Sequence, residues 1–215
     1  MIPLVPAIIP KSKNTLESSL EKLNFASEIH VDVVDGKFVP FLSWPYEPQG
    51  LPVEIKENTD KFTLEVDLMV EAPLLAAESW LEAGADMLVF HVESISLPDF
   101  KNFVHSAPAS VGISALNDTP IEILSSYLEI ADYVQVMGIA KIGVQGQAFD
   151  YRVLERIKFI KNHFSNKHIT VDGSVNKNTI QTLKSSGADR MIVGSAVTLS
   201  ENPYESYLDL IKLIN

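Results

Sequence analysis

The feature that most constrains the fold is a regular alternation of short apolar runs with amphipathic stretches along the whole chain. The runs are rich in Val, Ile and Leu at consecutive positions, which is typical of strands buried on both faces of a sheet. The stretches between them have helical patterns. The eight predicted strands are Leu4 to Ile9, Glu28 to Val33, Phe62 to Leu68, Met87 to Phe90, Ala109 to Ile113, Tyr133 to Met137, His168 to Val171 and Met191 to Val193.

The intervening stretches carry the start and stop signals of helices. Asn14 with Glu17 three residues later predicts a capping box at the first helix. Pro73 suits the first position of another helix, where its missing N–H does no harm. Gly84 and Gly187 each follow a helical stretch and precede an apolar run, as glycines that end helices do.

Eight strand–helix units in 215 residues predict an α/β fold, namely a (β/α)8 TIM barrel, as one domain over residues 1–215. A doubly wound open sheet is the alternative arrangement of such units. No G-x-G-x-x-G motif follows the first predicted strand, which weighs against that alternative.

Composition excludes several classes of function. The net charge is −11, from 17 basic and 28 acidic residues, and no basic stripe suits a nucleic acid or an anionic membrane surface. No apolar run reaches the roughly 18 residues of a membrane span, and the first residues lack the basic segment of a signal peptide. We therefore expect a cytoplasmic protein. The absence of cysteine excludes disulfides, thiolate catalysis and Cys-ligated zinc.

Acidic side chains lie near the ends of three predicted strands, where a barrel has its active site. His30 and Asp32 point to the same side of the second strand, because side chains alternate along a strand. Asp67 and Asp172 lie near the ends of the third and seventh strands. Three carboxylates at one barrel mouth repel each other unless a cation lies between them. Together with one imidazole they suit a single divalent ion, namely Zn, Fe, Mn or Mg.

Glycine-containing loops follow the last three predicted strands. They contain Gly146, Gly173-Ser174 and Gly194-Ser195 respectively. Loops after strands seven and eight of barrel enzymes often bind phosphate through backbone N–H groups. Each loop alone is an ordinary turn, but their joint placement around one rim favours a phosphate site.

The segment from His30 to Pro40 reads H-V-D-V-V-D-G-K-F-V-P and resembles the H-V-D-x-x-D-G-x-F-V-P signature of the ribulose-phosphate 3-epimerases. Five further stretches match the family in the same order along the chain. They are Val66 to Val70, His91 to Glu93, Gly143 to Phe149, Val171 to Asn176 and Gly194 to Ala196.

The resemblance implies a barrel of the ribulose-phosphate-binding type and a metal-dependent epimerase that inverts C3 of a ketose phosphate. The implied reaction converts D-ribulose 5-phosphate to D-xylulose 5-phosphate, or acts on a related sugar phosphate.

The family binds one divalent ion through two histidines and two aspartates, and His30, Asp32 and Asp172 match three of these ligands. Asp32 and Asp172 also match the catalytic pair that moves protons on opposite faces of the sugar through an enediolate. The implied phosphate-binding residues are Gly146, Gly173, Ser174, Gly194 and Ser195. Since members of the family often assemble as dimers or larger rings, the resemblance also implies a homo-oligomer.

The chain departs from the family's pattern at several of these positions. Asp67 stands where the family has its second histidine ligand, Ala7 replaces a serine, and Ser174 replaces a glycine. These changes concern metal, sugar and phosphate contacts, so they predict altered specificity or reduced activity. A non-catalytic or altered-specificity phosphosugar-binding barrel is the main alternative. A decarboxylase of the same fold fits less well, because the D-x-K-x-x-D pattern of orotidine-phosphate decarboxylases, begun at Asp35, has Pro40 in place of its last aspartate and follows the second predicted strand and not the third. A Schiff-base aldolase fits less well too, because no lysine ends a predicted strand.

Overall fold

The structure, a computed structural model, describes residues 3–143 and 146–214. Eight parallel strands close into one barrel in chain order, with β1 paired to β8. The predicted (β/α)8 fold is therefore confirmed, and every strand begins and ends within one residue of its predicted bounds. The strands are β1 Leu4–Ile8, β2 Glu28–Val34, β3 Thr63–Met69, β4 Met87–His91, β5 Ser110–Ser114, β6 Tyr133–Met137, β7 His168–Asp172 and β8 Arg190–Val193.

Helices follow the strands and form the outer layer of the barrel. They are α1 Lys13–Lys22, α2 Lys56–Thr59, α3 Pro73–Glu82, α4 Leu97–Ser106, α5 Ile121–Leu128, α6 Arg152–His163, α7 Ile180–Ser186, α8 Ser195–Thr198 and α9 Pro203–Ile214. Among the described residues, none of the helices combines the length and the apolar character that crossing a membrane requires.

The start of α1 differs from the prediction, whereas the other helix signals are confirmed. Ser12, not Asn14, caps α1: its hydroxyl accepts from the Thr15 amide at 3.2 Å, and Thr15 Oγ1 accepts from the Ser12 amide at 2.8 Å. Asn14 lies inside the first turn, too late in the chain to cap it. Pro73 opens α3, and Gly187 ends α7 with a φ of +105°.

The strands separate an apolar core, which lies between the barrel and its helices, from the lumen of the barrel. On β2, the side chains of Ile29, Val31 and Val33 belong to the main apolar core, which they share with the helices. His30 and Asp32 alternate with them and are buried on the other face of the strand. The barrel lumen thus contains a set of buried polar side chains that the outer core lacks.

Candidate active site

Strand register brings the four predicted metal ligands together. In the β2–β3 ladder Asp32 is the partner of Asp67, so the two carboxylates lie side by side. Asp172 is the last residue of β7. One ligand atom from each of His30, Asp32, Asp67 and Asp172 lies within 4.8 Å of the others.

The electrostatics of this cluster favour a cation among the carboxylates. Burial, and then the neighbouring carboxylate of Asp32, raises the pKa of Asp172 to about 8. Burial also raises the pKa of Asp32, although its hydrogen bond with His30 opposes the shift. A divalent ion fits here, because it would offset the repulsion between three carboxylates, and one imidazole nitrogen with carboxylate oxygens is a donor set that Mg, Mn, Fe and Zn accept.

Neighbouring side chains hold the candidate ligands in place. His30 Nδ1 lies 2.5 Å from Glu65 Oε2, and its Nε2 lies 3.2 Å from Asp32 Oδ1. Asp67 accepts at both oxygens, from His91 Nε2 at 2.8 Å and from Gln135 Nε2 at 2.7 Å. Each of these side chains is fully buried except Asp32, which is 5% exposed.

Sequence reasoning missed two members of this set, Glu65 and Gln135. Glu65 precedes Asp67 by two residues and therefore lies on the same face of β3. Gln135 interrupts the apolar run of β6 at a lumen-facing position. Polar residues inside otherwise apolar strands were thus the available signal. His91, the last residue of β4, contacts Asp67 directly.

The imidazole of His30 is subject to opposing influences. Burial alone would lower its pKa, but the carboxylates of Glu65 and Asp32 together raise the pKa well above its ordinary value. Glu65 itself has a pKa lowered to about 2, because Arg190 and His30 outweigh the effect of its burial. Glu65 is therefore an anion at neutral pH.

A cavity of about 300 Å³ lies over the cluster. Asp32 and Asp172 line it, and the apolar side chains of Met69, Ile139 and Ile192 form part of its wall. The predicted phosphate-binding residues line the same cavity; they are Gly146, Gly173, Ser174, Gly194 and Ser195. The structure therefore places the predicted catalytic pair and the predicted phosphate rim around a single space.

The rim after β7 has an unusual backbone. Gly173 has a φ of +97°, and Ser174 is the single non-glycine residue with positive φ, at +54°, in the described part of the chain. The Ser174 carbonyl accepts from Asn176 Nδ2 at 2.9 Å and from Thr179 Oγ1 at 2.6 Å. A Cβ at position 173 would lie 2.7 Å from the Ile139 side chain, so only glycine fits there.

The loop after β6 completes the rim. Gly146 has a φ of +77°, and a Cβ added there would meet nothing within 4 Å. Glycine is therefore favoured at position 146 by the backbone conformation and not by lack of space. Residues 144 and 145 of this loop lie outside the described residues.

Comparisons with known proteins identify the family of this chain. The profile of the Ribulose-phosphate 3 epimerase family matches residues 3–198. A ribulose-phosphate 3-epimerase of Mycobacterium bovis is 32% identical over 207 residues, which cover 93% of this chain and 87% of that protein.

Solved structures share the fold at low sequence identity. A 3-hexulose-6-phosphate synthase is 18% identical with a TM-score of 0.73, and the match covers 100% of both chains. KGPDC from Streptococcus mutans, in complex with a phosphosugar, is 12% identical with a TM-score of 0.72, covering 100% of this chain and 98% of that one.

Proposed function

Because this chain belongs to the ribulose-phosphate 3-epimerase family, we propose that it inverts C3 of a ketose phosphate. D-ribulose 5-phosphate and D-xylulose 5-phosphate are the first pair to test. The expectation of an isomerase is confirmed at the level of the family. The observation that carries the proposal is the placement of Asp32 and Asp172 in one cavity, beside His30 and Asp67 and below the glycine rim.

Inversion at a carbon needs one group that removes a proton and another that returns one to the opposite face. Asp32 and Asp172 come from different strands, β2 and β7, and line the same cavity. In one direction the first carboxylate removes the C3 proton, an enediolate forms, and the second carboxyl group returns a proton. Two carboxyl groups suit this work, because each can remove a proton as a carboxylate in one direction and return it as a carboxylic acid in the other.

The proposed ligands of a divalent ion are His30, Asp32, Asp67 and Asp172. When bound, the ion supplies positive charge close to the oxygens on which the enediolate charge develops. Asp67, standing where the family has histidine, adds a hard oxygen donor. His91 and Gln135 keep the Asp67 carboxylate in place by donating to its two oxygens.

We propose that backbone N–H groups hold the phosphate. No lysine or arginine is among the described residues that line the cavity, so side-chain cations do not supply the needed charge there. Backbone donors at glycine-rich loops bind phosphate without such cations. The phosphosugar complex of KGPDC supports a ligand of this class for this fold. The proposed residues are Gly146, Gly173, Ser174, Gly194 and Ser195.

We further propose that residues 1–215 form one domain, because the eight strands of one closed barrel extend from Leu4 to Val193. A cytoplasmic location, the absence of nucleic-acid and membrane partners, and assembly as a homo-oligomer stay predictions.

The test is proton exchange at C3. We would incubate the protein, reconstituted with Mn²⁺ or Zn²⁺, with D-ribulose 5-phosphate in D2O and follow C3 by NMR. Deuterium at C3 together with xylulose 5-phosphate is the expected result. If Asp32→Asn and Asp172→Asn both kept the turnover of the native protein, with folding verified by circular dichroism, the proposed mechanism would be wrong.

The second candidate is an altered-specificity or non-catalytic phosphosugar binder. Ala7, Asp67 and Ser174 favour it, because each changes a position of the family's site. Phosphosugar binding without C3 exchange for any ketopentose or ketohexose phosphate would establish the binder. Exchange with a ketohexose phosphate alone would establish altered specificity.

A further inference from the structure

A second cluster of buried polar and charged side chains lies next to the candidate ligands, nearer the amino ends of the strands. It consists of Glu28, Glu65, Tyr133 and Arg190, which we call the Glu65 network. Arg190 Nη1 donates to both Glu65 oxygens, at 3.0 and 2.9 Å, and Tyr133 donates to Glu65 Oε1 at 2.7 Å. Arg190 Nη2 donates to Glu28. The proposed reaction uses none of these four side chains.

The network is not explained by stability. Glu65 and Arg190 are fully buried, and taking both charges out of water costs several kcal/mol per ion. Apolar side chains of similar volume often fill such a space at no loss of stability. Arg190 Nε moreover has no hydrogen-bond partner among the described residues. A buried ionic network in this position therefore calls for another role.

The contact between Glu65 and His30 identifies that role. Glu65 is the partner of His30 in the β2–β3 ladder, and its Oε2 lies 2.5 Å from His30 Nδ1. With Nδ1 engaged in this way, the other ring nitrogen, Nε2, is the one that faces Asp32 and the ligand cluster. A carboxylate that accepts from one nitrogen of a histidine fixes both the tautomer and the orientation of the ring.

We propose that Glu65 is a positioning residue, which holds His30 so that its Nε2 is available to a divalent ion. Arg190 and Tyr133 in turn fix the Glu65 carboxylate by donating three hydrogen bonds to it. This inference rests on the ion site of the proposed function. It adds Glu65, Tyr133 and Arg190 to that site, so three strands besides β2, namely β3, β6 and β8, determine how His30 is oriented.

The network contains its own matched control. Glu28 and Glu65 are both buried, and both accept from the guanidinium of Arg190. Of the two, only Glu65 has a hydrogen bond with His30, and Glu28 accepts from the other guanidinium nitrogen, Nη2. Glu28→Gln and Glu65→Gln therefore remove the same charge from the same arginine, with and without a direct effect on the imidazole.

We would measure Mn²⁺ affinity by competition with a chromophoric chelator, in the native protein and in both variants. For Glu65→Gln we expect affinity to fall about 10- to 100-fold, the usual effect of removing such a partner. The new amide can donate to His30 Nδ1, which favours the tautomer with its proton on Nε2. For Glu28→Gln the expected loss is below about threefold, because no ligand is contacted.

Two further measurements separate positioning from general destabilisation. Urea unfolding of the ion-free variants reports stability alone, and we expect both glutamine variants to be destabilised. The absorption spectrum of bound Co²⁺ reports ligand geometry and should change for Glu65→Gln only. Where Glu65→Gln does not fold, Tyr133→Phe serves instead, since it removes one bond to Glu65; its Mn²⁺ affinity should fall and its Co²⁺ spectrum change.

Three results would overturn the inference. The first is a Glu65→Gln variant, or a Tyr133→Phe variant where it replaces Glu65→Gln, with the Mn²⁺ affinity and the Co²⁺ spectrum of the native protein. This result refutes positioning while leaving the ion site intact. Equal losses in Glu28→Gln and Glu65→Gln point to a purely structural network. A native protein that takes up neither ion refutes the ion site of the proposed function, and this inference with it.

Discussion

The two halves of the cavity are built in different ways. The acid half, formed by His30, Asp32, Asp67 and Asp172, consists of side chains on strands, held by hydrogen bonds from buried neighbours. The glycine half consists of backbone in the loops after β6, β7 and β8, and positive φ angles recur in the first two of these loops. The members of the glycine half are Gly146, Gly173, Ser174, Gly194 and Ser195.

This difference determines what each half tolerates. In the acid half the functional atoms belong to side chains, so even a substitution that conserves shape removes the chemistry. In the glycine half the proposed donors belong to the backbone, so a side chain matters only through the conformation it permits and the space it fills. Substitutions in the two halves should consequently separate turnover from phosphate affinity.

The largest effect is expected in the acid half. Asp32→Asn and Asp172→Asn should each lower kcat by about 10²- to 10⁴-fold, because an amide cannot transfer the proton. Phosphate affinity should change little, and circular dichroism should show an intact fold. The matched control is Asp209→Asn on α9, an exposed residue paired with Lys212 at the surface, for which turnover should be that of the native protein.

The corresponding disruptive substitution in the glycine half is Gly173→Ala. Its φ of +97° disfavours any side chain, and the new Cβ would lie 2.7 Å from Ile139. We expect a loss of about 1–3 kcal/mol in the free energy of unfolding, together with weaker binding of inorganic phosphate. Gly146→Ala is the control, because it imposes a similar φ cost with no neighbour within 4 Å. Equal losses in both variants would show that the Ile139 contact relaxes without cost.

Protonation should couple the acid half to stability in the ion-free protein. The folded state holds a proton on Asp172 up to a pKa of about 8, whereas the unfolded chain loses it near the ordinary value of 3.8. Folding therefore takes up a proton between these pH values, and stability falls as pH rises through this window. His30, with its raised pKa, contributes in the same direction above its ordinary value of 6.5.

Urea unfolding in EDTA between about pH 5 and about pH 8 measures this effect. One proton is worth about 1.4 kcal/mol per pH unit, so we expect the loss to be at most about 4 kcal/mol over this range. Asp172→Asn should flatten the slope, and saturating Mn²⁺ should oppose the decline because the ion binds the deprotonated groups. Stability that rises with pH in the ion-free protein would contradict the raised pKa of Asp172. Glu65 acts outside this window, since its lowered pKa makes the protein lose stability only at more acidic pH.

The same contrast explains how much the sequence predicted. The strands and the acid half were predictable, because apolar runs mark buried strands and an acid after such a run is conspicuous. The Glu65 network was not, because Glu65 and Arg190 are separated by 125 positions and meet only after the barrel closes. The cap of α1 was wrongly predicted because Ser12 and Asn14 are both favourable capping residues, and local rules do not choose between them.

The smallest effect, and the sharpest test of the contrast, concerns Ser174. Its φ of +54° is costly for a residue with a Cβ, and the bonds from Asn176 and Thr179 to its carbonyl hold it there. Ser174→Gly relieves the backbone cost of about 1–2 kcal/mol but adds freedom to the unfolded chain worth about 0.4–1 kcal/mol. The net gain in the free energy of unfolding, measured by urea unfolding, should therefore lie between about 0 and about 1.6 kcal/mol.

The phosphate affinity of variants at position 174 shows whether the backbone amide or the side-chain hydroxyl is the donor. If the Ser174 amide is the donor, then Ser174→Gly and Ser174→Ala both keep it, and the Kd for inorganic phosphate should stay within about threefold of the native value. If the hydroxyl is the donor, both variants lose a hydrogen bond to a charged group, worth about 1.5–3 kcal/mol, and bind phosphate at least about tenfold more weakly. In that case Ser174 would belong with the acid half, as a residue whose side chain carries the function, and its replacement of the family's glycine would be a gain of contact.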